Sequence, residues 1–429
     1  MSATINTREL YRLPWNLADN GISWLEPTAQ CNLVCDGCYR RNRVEHKTWE
    51  QTLHELDVFD RMRKSDALSI AGGDPLLYPD LVRTIAEAAR RGYKPVVNTN
   101  GHAMTRELLR EMKQAGLHGF TFHVDSKQGR PGQWRGKNEM ELCELREELA
   151  ELAFEFKVVC SFNSTVYPDT LPYVPQLARW AERHMDKVHV LVFILYRDMA
   201  ANEFRYFAGA EEVNIYADAE RKQADDAKTV YNLDSERSYT THLTAEDVVA
   251  ELRKDDPDFR PSAFLNGTQD PSTIKWLLSG RIGRPGKVYG YVGPKIMELI
   301  QSTNHLLKGR YLAYTPIEQL ASAKPLLFLA PLDASMRNIV RNAMRDWARA
   351  PLRAVTQPLY FQNVMVIQPI DFLSDGRTNM CDGCPDMTVW GDELVWSCRM
   401  DEQERWGRNL HAVPKPNGGN GGGSSKPSG

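Results

Sequence analysis

From Ile22 onward, short apolar runs alternate with longer stretches in which apolar residues recur every three or four positions. The short runs, near 22–29, 67–73, 95–100, 119–125, 157–165 and 187–196, predict strands; the longer stretches, near 48–64, 79–91, 104–115, 138–155 and 171–185, predict helices. Leu53, Leu56, Phe59 and Met62 stripe one face of the first helix, and Gly92 and Gly116 fall just past the ends of the second and third. Strand followed by helix, repeated in this way, calls for parallel strands joined by right-handed crossovers. The pattern by itself admits an open doubly wound sheet or a barrel.

Alternation within the strands says which side chains meet. In Phe120-Thr121-Phe122-His123-Val124-Asp125 one face is apolar and the other carries Thr, His and Asp. Val158, Cys160 and Phe162 lie opposite Val159, Ser161 and Asn163, and Asn98 and Asn100 point the same way. The polar set suits the inside of a barrel and the apolar set suits packing under helices. Polar groups near the C-terminal ends of parallel strands are where such folds bind ligands.

The first strand leads into Cys31-Asn32-Leu33-Val34-Cys35-Asp36-Gly37-Cys38, a C-x3-C-x2-C spacing. Three thiols on a short loop can hold a polynuclear iron–sulfur centre and leave one metal corner without a protein ligand. A closed structural zinc site would want a fourth ligand, and Tyr39-Arg40-Arg41-Asn42-Arg43 offers none. This loop resembles the signature of the radical S-adenosylmethionine (radical SAM) enzymes, in which three cysteines ligate a [4Fe-4S] cluster and S-adenosylmethionine chelates the open iron. One position departs from the family pattern: Gly37 stands where an aromatic residue is common.

The resemblance selects a fold, a partial (β/α)6 TIM-like barrel with a C-terminal α+β extension. It also gives Gly72-Gly73-Asp74-Pro75 a role, since this stretch is similar to the family's Gly-Gly-Glu-type motif for the methionine amino group, with Asp in place of the commoner Glu. By the same resemblance Asn100, His123, Asp125, Asn163 and Arg197 sit at strand ends where the family contacts ribose or carboxylate. His123 also reads as a structural histidine, and Cys143 and Cys160 read as buried thiols rather than ligands.

Beyond Arg197 the pattern changes. The chain divides into a lead-in (1–21), the core (22–199), a mixed helical region (200–370), a cysteine hairpin (371–412) and a flexible tail (413–429). Within 200–260, charge is dense (Glu211-Glu212, Glu220-Arg221-Lys222) and reads as a solvated face, with a helix start at Thr244-Ala245-Glu246-Asp247. The aromatic stretch 261–370, with Trp276, Tyr289, Tyr291, Tyr311, Tyr314, Phe328 and Trp347, predicts a substrate-facing lid over the barrel mouth. Further on, Met387-Thr388-Val389-Trp390 and Glu393-Leu394-Val395-Trp396 around Gly391-Asp392 predict a hairpin. That hairpin brings Cys381, Cys384 and Cys398 to one zinc ion or auxiliary iron–sulfur cluster. The cluster is favoured because such C-terminal extensions recur in the family, and this one loosely resembles part of a SPASM/twitch domain. A fourth ligand is expected from His411, a distant cysteine or the substrate.

Composition narrows the class. Of 429 residues, 42% are hydrophobic, enough for a large core, and a net charge of −3 points to neither nucleic acid nor a membrane surface. No apolar run approaches a bilayer span, the first residues have no signal-peptide core, and eight cysteines, two groups of them at metal-like spacing, suit a reducing, cytoplasmic compartment. The resemblance implies an enzyme that cleaves S-adenosylmethionine reductively for C–H activation, fed by a low-potential donor such as flavodoxin or ferredoxin. The aromatic 261–370 stretch favours a lipid-like or specialised-metabolite substrate. The alternatives are a peptide-modifying maturase and a non-catalytic iron–sulfur or zinc redox scaffold.

Overall fold

The structure, a computed structural model, describes residues 5–40, 42–197, 204–215, 243–320 and 322–415. The charged run Glu220-Arg221-Lys222 and the Gly-rich tail lie outside the described residues. The core follows the predicted order: β1 (Ile22–Thr28), α1 (Trp49–Met62), β2 (Ala67–Gly72), α2 (Leu81–Arg90), β3 (Lys94–Thr99), α3 (Arg106–Gln114), β4 (Gly119–His123), α4 (Cys143–Glu155), β5 (Val159–Val166), α5 (Val174–Arg183) and β6 (Val190–Leu195). Neighbouring strands pair in parallel from β1 to β6 in chain order. Thr48 starts α1 with a capping box, its hydroxyl accepting from Gln51 N while the Gln51 side chain takes the Thr48 N–H. Phe120, Phe122, Val124, Cys160 and Phe162 are buried in one core cluster with the helices' apolar faces, as the alternation requires.

The sheet does not stop at β6. After the hairpin β7 (Phe204–Ala208) and β8 (Glu211–Val213) and the helix α6 (Ala245–Asp255) come β9 (Ala263–Asn266), β10 (Ile274–Arg284) and β11 (Lys287–Tyr291). Two helices follow, α7 (Pro294–Lys308) and α8 (Ala334–Arg349), and then β12 (Tyr360–Ile367). Strand β12 pairs in parallel with β6, β10 runs antiparallel to β12, and β9 antiparallel to β10. The short strand Tyr11–Arg12 closes that edge against β9. The result is one open eleven-stranded sheet whose parallel part is the expected half-barrel; among the described residues it does not close on itself.

The described part of 200–370 is mixed, adding four strands to the main sheet beside its helices, and α8 is not a lid over the mouth. Val159 at the start of β5, Leu359 and Phe361 at the start of β12, and Ile282 opposite Phe361 form a cluster with Met336, Ile339 and Ala343 of α8. This helix packs at the strand end opposite to the one bearing the cysteines. Of the seven aromatic residues expected to face substrate, Trp276 lines the cavity described below, whereas Tyr289 bonds Asp346 and Phe328 points outward. Aromatic content predicts packing but not which end of a sheet is packed. At the C-terminus β13 (Met387–Trp390) and β14 (Glu393–Trp396) form the predicted hairpin, and Gly391 in its turn has φ +61. Helix α9 (Met400–Trp406) and β15 (His411–Pro414) follow, and β15 adds to β7, so the ordered extension runs past 412.

Candidate active site

A cavity of about 330 Å³ opens where β2 to β6 and β12 end. Both cysteine groups line it: Cys31, Cys35 and Cys38 from the loop after β1, and Cys381, Cys384 and Cys398 from the C-terminal extension. Asn98, Asn100, Thr121, His123, Asn163 and Thr165 reach it from the strand ends. Trp276, Ile194, Ile367, Ile370 and Met380 give it an apolar wall.

The first loop is braced from several sides. Asn42 Oδ1 accepts from Cys31 N at 2.9 Å and its amide donates to Cys31 O at 3.1 Å. Val34 N and Asp36 N donate to the carbonyls of Gln128 and Lys127. Arg130, 5% exposed, ties the structure beneath the loop by donating to Asn100 O and His123 O, each at 2.8 Å. Asn100 Nδ2 lies 3.6 Å from Cys31 Sγ and donates to Asn32 at 2.7 Å. Gln128, Arg130 and Asn42 carry no motif, so nothing in the sequence marked them.

Gly72 and Gly73 line the cavity, and their reason is close packing. A Cβ on Gly72 (φ +105) would come 2.3 Å from Thr28 O, and one on Gly73 would come 2.1 Å from Gln30 O. The pair lets β2 press against the chain that delivers Cys31. Asp74, expected to hold the ammonium, turns its carboxylate to protein donors in this structure. Its carboxylate is fully buried and accepts from Thr99 Oγ1 (2.9 Å), Asn100 N (3.0 Å) and Leu76 N (2.9 Å). It locks the ends of β2 and β3 together, because a short buried carboxylate finds backbone N–H groups before it finds the cavity. Pro75, likewise buried, starts the short turn that Asp74 caps.

Arg197 borders the cavity, but its guanidinium is engaged by Asp371 Oδ1 at 2.7 Å, by Tyr196 O at 2.9 Å and by Leu243 O. These contacts hold the Arg197 side chain in place at the cavity edge. His123 is held by Thr165 Oγ1 at 2.9 Å and Asp125 Oδ2 at 3.0 Å. Asp125 is buried behind it; burial is the largest single influence and raises its carboxyl, but His123, the Lys127 N–H and the Thr165 hydroxyl together outweigh it and hold the carboxyl below the usual range. Gly37 has a physical partner for its missing side chain. A Cβ there would meet Tyr167 Oη at 2.8 Å and Tyr196 at 3.1 Å, and those two rings stack at 4.9 Å between centroids.

The C-terminal triad is anchored by the lead-in. Gly383 (φ +71) packs so that a Cβ would fall 2.1 Å from Trp15 O; Asn20 Nδ2 donates to Gly383 O at 3.0 Å, and Arg63 donates to Cys384 O at 2.6 Å. Asp386 faces the cavity beside these thiols, with its carboxyl raised to about 7 by burial, against the pull of Arg63. His411 does not approach: it is exposed on β15 and stacks on Phe207. Cys143 and Cys160 are buried and do not border the cavity.

The donor chemistry fits iron and sulfur. All eight thiols are free. Burial raises Cys31 and Cys35 above the usual thiol range, and Cys38, although open to the cavity, is pushed up to about 11 by the protein around it. Cys384 is raised first by its hydrogen bond with Cys381 and then by burial. Such thiols become ligands when a cation displaces their protons. Among the described residues no three His, Cys, Asp or Glu side chains converge on the position of a single ion. Three thiols on one loop beside a cavity suit a cluster, where each ligand takes a different iron.

Residues 25–181 match the family model described as the radical SAM superfamily. Among curated relatives, the chain is 26% identical over 106 residues to a tungsten-containing aldehyde ferredoxin oxidoreductase cofactor-modifying protein of Pyrococcus furiosus, covering 24% of this chain and 30% of that one. It is 27% identical over 168 residues to an AdoMet-dependent heme synthase of Oleidesulfovibrio alaskensis, covering 38% and 42%. The match thus spans less than half the length of these relatives. Among solved structures, Streptococcus suis SuiB bound to S-adenosylmethionine is similar at 14% identity and a TM-score of 0.35, over 48% of this chain and 46% of that one. Among the described residues no helix is long and apolar enough to cross a membrane.

Proposed function

We propose that this chain cleaves S-adenosylmethionine reductively at a [4Fe-4S] cluster held by Cys31, Cys35 and Cys38, and that the 5′-deoxyadenosyl radical so formed takes hydrogen from a small molecule with apolar surface. The observation that carries this reading is the single cavity shared by the cysteine loop, the polar strand ends and an apolar wall. The chain's own residues bind and orient. The backbone of Gly72-Gly73 and the side chains of Asn100, Asn163 and Tyr196 face the cavity and are assigned to the cofactor's methionine and nucleoside parts. His123, fixed by Asp125 and Thr165, presents a ring whose orientation is set before any ligand arrives. Trp276, Ile194, Ile367 and Ile370 exclude water from the remaining space and suit a lipid-like or specialised metabolite. Cys381, Cys384 and Cys398 border the same cavity and are assigned to an auxiliary iron–sulfur cluster, since a structural zinc would want a fourth protein ligand that this set does not supply. A flavodoxin- or ferredoxin-like donor in a reducing cytoplasm would supply the electron.

Anaerobic reconstitution with iron and sulfide counting, followed by dithionite, S-adenosylmethionine and mass spectrometry for 5′-deoxyadenosine, tests this. Two clusters' worth of iron together with deoxyadenosine is expected. Cys31→Ala should lose one cluster and all cleavage, and Cys398→Ala should lose iron but keep cleavage. Deoxyadenosine formation that survives loss of Cys31, Cys35 and Cys38 would overturn the assignment.

A further inference from the structure

The helical segment at the strand end opposite the cavity carries a surface that the catalytic reading does not use. Residues 324–357 hold six Lys or Arg against two Asp, in a chain whose net charge is −3. One of the two acids, Asp346, is buried against Lys287 and Tyr289, and the other, Asp333, caps α8. Arg337, Arg341, Arg345 and Arg349 recur every fourth residue and are all exposed, so they form one ridge along α8, which Arg353 continues. Its inner face, Met336, Ile339 and Ala343, is spent on the core. Apolar side chains stand out around the ridge: Phe328 is 86% exposed, Val355 82%, Leu352 80%, Leu332 62% and Met344 60%.

Large apolar side chains at that exposure mark a surface that something covers. Charge decides what. Two copies meeting face to face would set one arginine ridge against the other. Arginines interleaved with protruding Phe, Leu, Val and Met are what an interfacial helix presents to anionic headgroups and the first acyl carbons beneath them. We propose that residues 324–357 dock this protein on an anionic lipid bilayer, peripherally, with α8 and its flanking turns lying in the headgroup layer. This rests on geometry and charge alone and stands whether or not the cavity cleaves S-adenosylmethionine.

Full-length protein is mixed with vesicles of phosphatidylcholine, with or without phosphatidylglycerol, and sedimented. Binding is expected to the anionic vesicles and to weaken as salt is raised. R341E/R345E/R349E should reduce partitioning by roughly tenfold or more, and F328S/L352S/V355S should reduce it at low salt as well, with circular dichroism and iron content unchanged in both. Equal partitioning to neutral and anionic vesicles, or binding untouched by both variants, would overturn the proposal. So would light scattering that shows a dimer dispersed by these substitutions, or RNA binding in place of vesicle binding.

Discussion

At the scale of single residues, the motif glycines and the acid beside them act by packing. Gly73 lies so close to Gln30 O that Gly73→Ala must displace the chain leading to Cys31. We expect a loss of about 1–3 kcal/mol or more, seen as a lower Tm together with poorer iron loading after reconstitution. Asp74→Asn would place amide hydrogens against Asn100 N–H or Leu76 N–H, leaving a buried donor unpaired at about 1–3 kcal/mol. If Asp74 instead bound the cofactor directly, stability would hold and only the affinity for S-adenosylmethionine would fall; calorimetry and thermal melts on one sample separate the two. The spacing Gly-Gly-Asp was legible in the sequence. The direction of the carboxylate was not, because it depends on which neighbouring strand end supplies donors.

At the scale of elements, two histidines give the core a pH dependence. His189, 2% exposed just before β6, accepts from Cys160 N at 3.0 Å through Nδ1, which requires a neutral ring. Burial lowers its pKa to about 4, and burial likewise lowers that of His118, before β4, to about 4. In the unfolded chain both titrate near the ordinary value of about 6.5. Between about 6.5 and 4 the unfolded state therefore takes up protons that the folded state refuses, and stability falls as pH is lowered through that window. Each site accounts for roughly 3 kcal/mol at most. Thermal melts from pH 7 to 4 should show the decline, and His189→Gln should flatten it. An unchanged slope would mean that other groups carry the acid sensitivity. The strands themselves were predictable because short apolar or alternating runs recur between the helical stretches.

At the scale of the whole molecule, Arg40 joins the two ends of the chain. Two residues past Cys38 and 5% exposed, it pairs with Glu26 on β1 at 3.2 Å, with Glu404 at 2.9 Å and with Asp401, the last two on α9 just after Cys398. Arg43 adds a second pair to Glu404. Arg40→Met would strand buried carboxylates and cost about 3–5 kcal/mol. We expect iron to be lost from both cysteine groups together, since the loop and the C-terminal helix share this anchor. Loss confined to the first triad would show that the second is held by the lead-in alone.

The sequence alone determined what depends on local order: the βα repeat, the polar face of the strands, the first cysteine loop and the C-terminal hairpin. These are written in periodicity and spacing, which neighbours along the chain enforce. Only the tertiary structure decided that β9, β10 and β12 prolong the sheet, that α8 packs away from the cavity, that Arg197 and Asp74 are spent on protein contacts, and that residues 381–398 reach the same cavity as residues 31–38. Each of these is a pairing between distant segments. It is chosen by which buried donors and acceptors find one another once the sheet has formed, and no stretch of chain carries that choice by itself.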